Sequence, residues 1–127
     1  MYEIFRASKP YLEAIAASFD LTPQQVFALK NLDSQESMTM SELATLLGCD
    51  ASNVTAIVDK LESRGFVERR SADRDRRVKA LIVTPAGRDL RSRIEERFEQ
   101  PPPALASLSL ADQKTLVQIF QRALTSP

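Results

Sequence analysis

Short polar side chains line one face of a helical segment near the middle of the chain. Within residues 51–64, the apolar residues Val54, Ile57, Val58 and Leu61 recur at helical spacing and must face a core. The opposite face carries Ser52, Asn53, Thr55, Ala56, Asp59 and Lys60. Asparagine, serine and threonine can hydrogen-bond to base edges, and alanine or a threonine methyl can contact the thymine methyl. The alternative is a plain amphipathic helix with a solvated side, although such helices more commonly expose Glu and Lys.

The charge distribution favours a polyanionic partner even though the chain is neutral overall, with 17 basic and 17 acidic residues. Residues 1–59 carry a net charge of −5, whereas residues 60–80 carry +4. Charges further apart than about 8–10 Å are screened, so a basic segment attracts phosphate locally. A solvated charged hairpin is the alternative interpretation of this segment.

The arginines of the basic segment alternate with carboxylates. Asp73 and Asp75 lie among Arg74, Arg76 and Arg77 in a predicted hairpin loop, residues 71–77. Carboxylates repel phosphate, so beside these arginines they are expected to hold the loop and orient a guanidinium. An arginine at a hairpin tip suits a narrow minor groove, whose negative potential attracts it.

Helix-capping signals predict the elements that position these residues. Thr22-Pro23-Gln24-Gln25 begins a helix over 23–32 that buries Val26, Phe27, Leu29 and Leu32, and Thr39 with Glu42 begins another that ends at Gly48. The second helix is expected to bury Leu43, Ala44, Leu46 and Leu47. Asp50 caps 51–64, and residues 66–70 and 78–83 are predicted strands. This order is that of a helix-turn-helix followed by a two-stranded wing.

The ends of the chain carry apolar stripes at helical spacing. A first helix presents Ile4, Phe5, Leu12, Ile15, Ala16 and Phe19. A helix from Pro85 to about Glu99 has the thin stripe Ala86, Leu90, Ile94 and Phe98, and Pro101-Pro102-Pro103 separates it from the last helix, which Ser109 and Asp112 cap. The last helix has a wide stripe of Leu116, Val117, Ile119, Phe120, Ala123 and Leu124.

The composition excludes several classes of protein. The chain has no histidine, which excludes Ser-His-Asp triads and zinc hydrolase motifs. A metal site would have to consist of carboxylates alone. We therefore expect that the protein is not an enzyme and binds no cofactor or metal. Its single cysteine, Cys49, excludes an internal disulfide and is either a small packing residue or a redox or alkylation switch at a helix N-terminus. No apolar run approaches the roughly 20 residues of a membrane span, and a basic-then-apolar leader is lacking, so a cytoplasmic protein is expected.

Two motifs carry a resemblance to a known family. Six residues separate Asp75-Arg76-Arg77 from Thr84-Pro85-Ala86-Gly87, and the stretch from Val58 to Arg69 reads VDKLESRGFVER. With Thr22-Pro23-Gln24-Gln25, this pattern closely resembles the multiple-antibiotic-resistance regulator (MarR) family over most of the chain. The resemblance implies a mainly α fold with a small β wing, and a homodimer that binds palindromic DNA near promoters, usually as a repressor. Many members release DNA when a small phenolic or other effector, or an oxidant, arrives.

Carried onto this sequence, the resemblance makes 51–64 the recognition helix, Arg77 a minor-groove residue and Asp75 its orienting partner. It implies a winged helix-turn-helix part at 22–84 and a dimerisation part at 1–20 and 85–125. The expected DNA-binding residues are Thr39, Ser52, Asn53, Thr55, Ala56, Lys60, Arg69, Arg70, Arg74, Asp75, Arg76 and Arg77. Those expected in dimerisation are Ile4, Phe5, Leu12, Leu116, Ile119, Phe120 and Leu124. An effector cleft for a small apolar or aromatic anion is expected near Tyr11, Phe19 and Phe27.

Three functional classes follow from the sequence. The first is a sequence-specific regulator that binds double-stranded DNA as a homodimer. The second is a winged-helix module for protein contacts without sequence-specific DNA binding. The third is an enzyme, and no nucleophile-base pair, glycine-rich phosphate loop or metal cluster is visible in the sequence to support it. Five arginines between residues 69 and 77 favour the first class over the second.

Overall fold

The computed structural model describes residues 2–32, 36–72 and 75–126, without the side chains of residues 72–78. It is mainly helical with a small antiparallel sheet, as the sequence predicts. The elements are α1 (Tyr2–Ser18), α2 (Pro23–Asn31), β1 (Met38–Thr39), α3 (Met40–Leu47), α4 (Ala51–Ser63), β2 (Val67–Ala72), β3 (Asp75–Val83), α5 (Pro85–Phe98), α6 (Pro103–Ala106) and α7 (Leu110–Thr125). In the described ranges, no helix has both the length and the apolar character needed to cross a bilayer.

Reciprocal capping boxes begin α2 and α3. The Thr22 hydroxyl accepts from the Gln25 N–H at 3.3 Å, while the Gln25 side chain accepts from the Thr22 N–H at 3.0 Å. Thr39 and Glu42 make the same pair of bonds at 3.1 and 3.0 Å. Gly48 ends α3 with φ of +63°, the left-handed conformation that glycine adopts without a Cβ penalty. These sequence predictions are confirmed.

The wing is longer than the sequence predicts. The predicted loop over 71–77 is wrong for most of its length, because β2 runs to Ala72 and β3 begins at Asp75. An irregularity in register lies between Ser71 and Ala72. Polar and charged residues favour a loop in the sequence, but continued backbone pairing of β2 with β3 extends the strands into this segment. A short strand that the sequence analysis missed, β1, pairs with β3, so the sheet order is β1-β3-β2.

The core lies between the helix-turn-helix and the sheet. It includes the predicted α4 residues Val54, Ile57, Val58 and Leu61, all 5% exposed or less, with Leu29, Leu43 and Leu81. Two predicted core residues are instead exposed, Phe27 at 39% and Leu46 at 52%. Both lie at the border of their helix stripes, where neighbouring residues already fill the core side.

The terminal helices contribute unequally to this core. Ala16 of α1 and Leu90 and Ile94 of α5 join the core cluster, so it extends beyond residues 22–84. On α5 the buried residue of the first turn is Gly87, and the predicted Ala86 is exposed, because the helix approaches the sheet through the glycine. Within Leu110–Thr125, all of which the structure describes, α7 has no buried residue.

Candidate nucleic-acid interface

The predicted reading face of α4 is exposed along its length. Each of the residues on this face is exposed: Ser52, Asn53, Thr55, Ala56, Asp59 and Lys60. The helix holds this face outward because its apolar stripe packs on α2, α3 and β2. The structure therefore brings the α4 part of the predicted site together on one surface.

The N-terminus of α4 is capped by a carboxylate. Asp50 Oδ1 accepts from the Asn53 N–H at 2.8 Å and from the Ser52 hydroxyl at 2.9 Å. The Asn53 bond, then the Ser52 bond, hold the pKa of Asp50 below its ordinary value. The carboxylate is thus ionised at neutral pH and occupies a main-chain N–H that could otherwise bind a phosphate. Because the Ser52 hydroxyl already donates its hydrogen bond to Asp50, it can only accept a hydrogen bond from a partner.

The Thr55 hydroxyl is also engaged within the helix. It donates to the Ala51 carbonyl oxygen at 2.8 Å, one turn earlier. The hydroxyl proton is therefore not available to an external acceptor. The methyl group and the oxygen lone pairs remain available for an external contact. Thr55 is thereby suited to an apolar contact beside the hydrogen-bonding residues Ser52 and Asn53.

Arg69 connects the wing to α4. Its guanidinium contacts Asp59 through Nη2 and lies 3.9 Å from Glu62 Oε1 through Nε, which is an ion-pair distance rather than a hydrogen bond. Its main-chain N–H donates to Glu62 Oε2 at 3.0 Å, so the carboxylate also covers the edge of β2. With a side chain only 25% exposed, Arg69 is held against α4. This arrangement suits a residue that positions the wing better than one that reaches a phosphate.

The other predicted DNA-binding residues are distributed as follows. Arg70 is exposed on β2 and pairs with Glu68 at 2.9 Å. Thr39 lies at the junction of β1 and α3, where its hydroxyl serves the capping box. Arg74 and the side chains of Asp75, Arg76 and Arg77 lie outside the described residues, so the predicted minor-groove contact of Arg77 stays a prediction.

The three aromatic residues predicted to line an effector cleft lie in different places. Phe19 lines a cavity of about 390 Å³ with Arg64, Phe66 and Arg93. The Tyr11 hydroxyl donates to the Gln100 carbonyl oxygen at 3.4 Å, and Phe27 is exposed on α2. Of the three described side chains, this cavity therefore takes in Phe19 but neither Tyr11 nor Phe27.

The residues that join α4 to the rest of the molecule were not predicted from the sequence. Arg64 donates to main-chain carbonyls at the end of α1, and Gly87 lies against the Phe66 carbonyl. A glycine in the first turn of a helix is the signal that could have indicated a close approach at Gly87. The partner of Arg64 lies more than 40 residues away, and no local pattern indicates it.

Known proteins resemble this chain in sequence and in fold. The MarR family model matches residues 21–79. The transcriptional repressor MprA of Escherichia coli K12 is 38% identical over 101 residues, which cover 77% of this chain and 57% of MprA. A putative regulatory protein for the hcr operon of Thauera aromatica is 28% identical over 117 residues, covering 91% of this chain and 70% of that protein. The chain thus spans little more than half the length of MprA.

Solved structures show the same fold. The apo form of wild-type MarR from E. coli superposes with a TM-score of 0.87 over 97% of this chain and 92% of that one, at 21% identity, which supports the fold alone. A probable transcriptional regulator from Pseudomonas aeruginosa gives a TM-score of 0.74 at 29% identity, covering 94% of this chain and 93% of that one. From the family model, the sequence relatives and the shared fold, the chain contains a MarR-family domain over residues 21–79.

Proposed function

We propose that this protein is a sequence-specific DNA-binding transcriptional regulator that acts as a homodimer, with α4 as its recognition helix. The observation that carries the proposal is the α4 face of short polar side chains, exposed opposite a fully packed apolar stripe and flanked by a basic wing. The relative MprA is named a transcriptional repressor, and we extend repression to this chain as part of the proposal.

The residues at the N-terminus of α4 favour contacts with base edges over contacts with the phosphate backbone. Recognition helices enter the major groove with their N-terminal residues toward the base edges. Ser52, Asn53 and Thr55 all lie in the first turns of α4, and the ionised Asp50 disfavours a phosphate at this helix end. In a two-fold dimer the two helices would read half-sites about 10 bp apart.

A second copy of the chain is the partner that the terminal helices favour. About half of the circumference of α7 is apolar, yet Leu124 is 85% exposed and Leu110 is 77% exposed. On α1, Phe5 is 71% exposed. Monomers rarely expose apolar patches larger than a few hundred Å². Self-association of α1 and α7 would cover these side chains and set two α4 helices in one assembly.

Regulation by a small effector is the further part of the proposal. The cavity beside Phe19 lies where α1, the end of α4 and α5 meet, and junctions of this kind are frequent ligand sites. Two arginines and two phenylalanines line it together with Asp20 and Asp89. The winged part must have one orientation that fits DNA and one that does not. A ligand then changes DNA binding only if its affinity differs between these two orientations. Titration of phenolic acids against the DNA complex tests this step.

The deciding experiment is a DNA-binding assay with a salt series. DNA from upstream of the protein's own gene, and duplexes selected by the protein from a random library, are compared with unrelated DNA of equal length. We expect tighter binding to the selected DNA, with log affinity falling linearly as log salt rises. Equal binding to all duplexes, or none, would instead favour a winged-helix module for protein contacts.

The first prediction concerns the methyl group of Thr55. Thr55→Ala and Thr55→Ser should each weaken operator binding, by about 1–3 kcal/mol for alanine, while affinity for unrelated DNA changes little. Thr55→Val keeps the methyl and loses a hydroxyl whose proton is already bound to the Ala51 carbonyl. We therefore expect valine to bind within about threefold of the wild type. A valine variant as weak as serine, measured by fluorescence anisotropy, would contradict the assignment.

The second prediction separates Arg69 from Arg77. If Arg69 positions the wing through Asp59, both Arg69→Ala and Asp59→Asn should weaken operator binding and leave the salt dependence unchanged. Simple repulsion of phosphate by Asp59 predicts the opposite sign, tighter binding for Asp59→Asn. Arg77→Ala is the comparison. Loss of its phosphate or groove contact should reduce the slope of log affinity against log salt by about 0.9 per subunit. Asp75→Ala should have the same effect in a milder form. An Arg69→Ala variant with a reduced slope would make Arg69 a direct phosphate contact.

A further inference from the structure

The C-terminal end of α4 is bound to the start of α5. Arg64 is the C-cap residue of α4, and Gly65 follows with φ of +79°. The Gly65 carbonyl oxygen accepts from the Thr84 hydroxyl at 2.5 Å, and the Phe66 carbonyl oxygen accepts from the Thr84 N–H at 3.0 Å. Since Thr84 is the N-cap of α5, the turn after α4 and the beginning of α5 form one hydrogen-bonded unit.

Arg64 makes the corresponding connection to α1. Its guanidinium donates to the main-chain carbonyl oxygen of Phe19 at 3.2 Å and also to that of Asp20. Asp20 has φ of +55°, and the Leu21 N–H donates to the Ala16 carbonyl oxygen at 2.9 Å. α1 therefore ends in a C-terminal cap in which Asp20 adopts the left-handed conformation. The end of a helix carries partial negative charge, so a cation is favoured there. Arg64 also lies 5.0 Å over the Phe66 ring, which restricts its orientation.

We propose that Arg64 is a positioning residue that fixes the orientation of α4 relative to α1, one of the proposed dimerisation helices, and thereby the half-site spacing that the dimer accepts. The inference rests on the proposed function, because it presumes two copies of α4 on one DNA. Arginine suits this role, since its planar fork reaches two successive carbonyls at once, whereas lysine offers a single ammonium group.

A lever argument shows why a contact at the end of α4 affects spacing. The 13 residues of α4 span about 20 Å at 1.5 Å per residue. A rotation of about 10° at the Arg64 end therefore moves the reading residues near Ser52 by about 3.4 Å, which is one base-pair step of DNA. We expect loss of the Arg64 bonds to allow rotations of this size, while each α4 keeps its contacts with its own half-site.

The test is a spacing series on DNA. The wild-type protein first selects a duplex from a random library, and duplexes with the half-site separation changed by one or two base pairs, and one with a single half-site, are then made. Binding is measured for the wild type, Arg64→Ala, Arg64→Lys and the control Arg88→Ala, which removes an exposed arginine of α5. Circular dichroism and light scattering establish that each variant is a folded dimer.

The wild type should lose roughly tenfold or more for each base pair of altered spacing. Arg64→Ala should bind all spacings within about threefold of one another while keeping the wild-type affinity for the single half-site. Arg64→Lys should fall between the two, and Arg88→Ala should follow the wild type.

Three results would overturn the inference while leaving the proposed function intact. The first is an Arg64→Ala variant with the wild-type spacing profile, and the second is an Arg64→Ala variant weakened on every duplex by the same factor. The third is loss of the folded dimer in both the alanine and lysine variants, which would assign Arg64 to stability. A wild type that binds DNA without any spacing preference would overturn the two-fold binding proposal itself, and the role of Arg64 with it.

Discussion

Gly87→Ala is expected to destabilise the protein by about 2–3 kcal/mol, although a glycine-to-alanine change inside a helix normally stabilises by about 1 kcal/mol. A Cβ at position 87 would lie 2.0 Å from the Phe66 carbonyl oxygen and 2.8 Å from Val83 Cγ1. That carbonyl already accepts from the Thr84 N–H, and the Thr84 hydroxyl caps α5 by accepting from the Gly87 N–H at 3.0 Å. Relief of the overlap therefore requires movement of the main chain at the start of α5.

Urea unfolding monitored by circular dichroism measures this difference from the shift in midpoint. Ser92→Ala is the matched control, because it changes an exposed residue of the same helix and should alter stability by no more than about 0.5 kcal/mol. A Gly87→Ala variant as stable as the wild type would show that α5 can retreat from the sheet without cost. In that case the connection between α4 and α5 would be less rigid than the hydrogen bonds of Thr84 indicate.

The local features of the fold could be predicted from the sequence because each depends on residues three or four positions apart. The capping boxes at Thr22 and Thr39, the cap at Asp50 and the buried stripe of α4 are all of this kind. The errors arose where the outcome depends on distant parts of the chain. The lengths of β2 and β3 follow from continued pairing between them, and β1 pairs with a strand about 40 residues further along.

The same distinction holds for the candidate site. Periodicity alone places Ser52, Asn53 and Thr55 on an exposed face, and the structure confirms that position. Periodicity does not indicate that Arg69 faces Asp59 and Glu62, or that Arg64 reaches the end of α1, because both contacts join separate elements. A count of arginines treats Arg64 and Arg69 like any exposed arginine. Only the fold separates an arginine already paired with carboxylates or carbonyls from one that a phosphate could attract.

Leu124→Glu is expected to convert the proposed dimer into a monomer at micromolar concentration. Leu124 is 85% exposed in the single chain, so the substitution costs the monomer little. In a two-fold dimer the substitution occurs in both copies. Loss of about 2 kcal/mol of apolar burial from each copy would raise the dissociation constant by about three orders of magnitude, before any cost of burying the new charge. Light scattering should give 14.2 kDa for the variant and twice that mass for the wild type.

Gln118→Glu is the control, because Gln118 is exposed on the polar side of α7 and receives the same negative charge. It should remain a dimer with wild-type affinity for the selected DNA. The Leu124→Glu monomer should retain only single half-site binding, since one α4 contacts one half-site. Phe120→Glu should also lose the dimer, but with a larger cost to folding, because Phe120 borders an apolar cavity within its own chain. A wild-type protein of 14.2 kDa in solution would remove the dimer proposal and leave the exposed face of α7 for another partner.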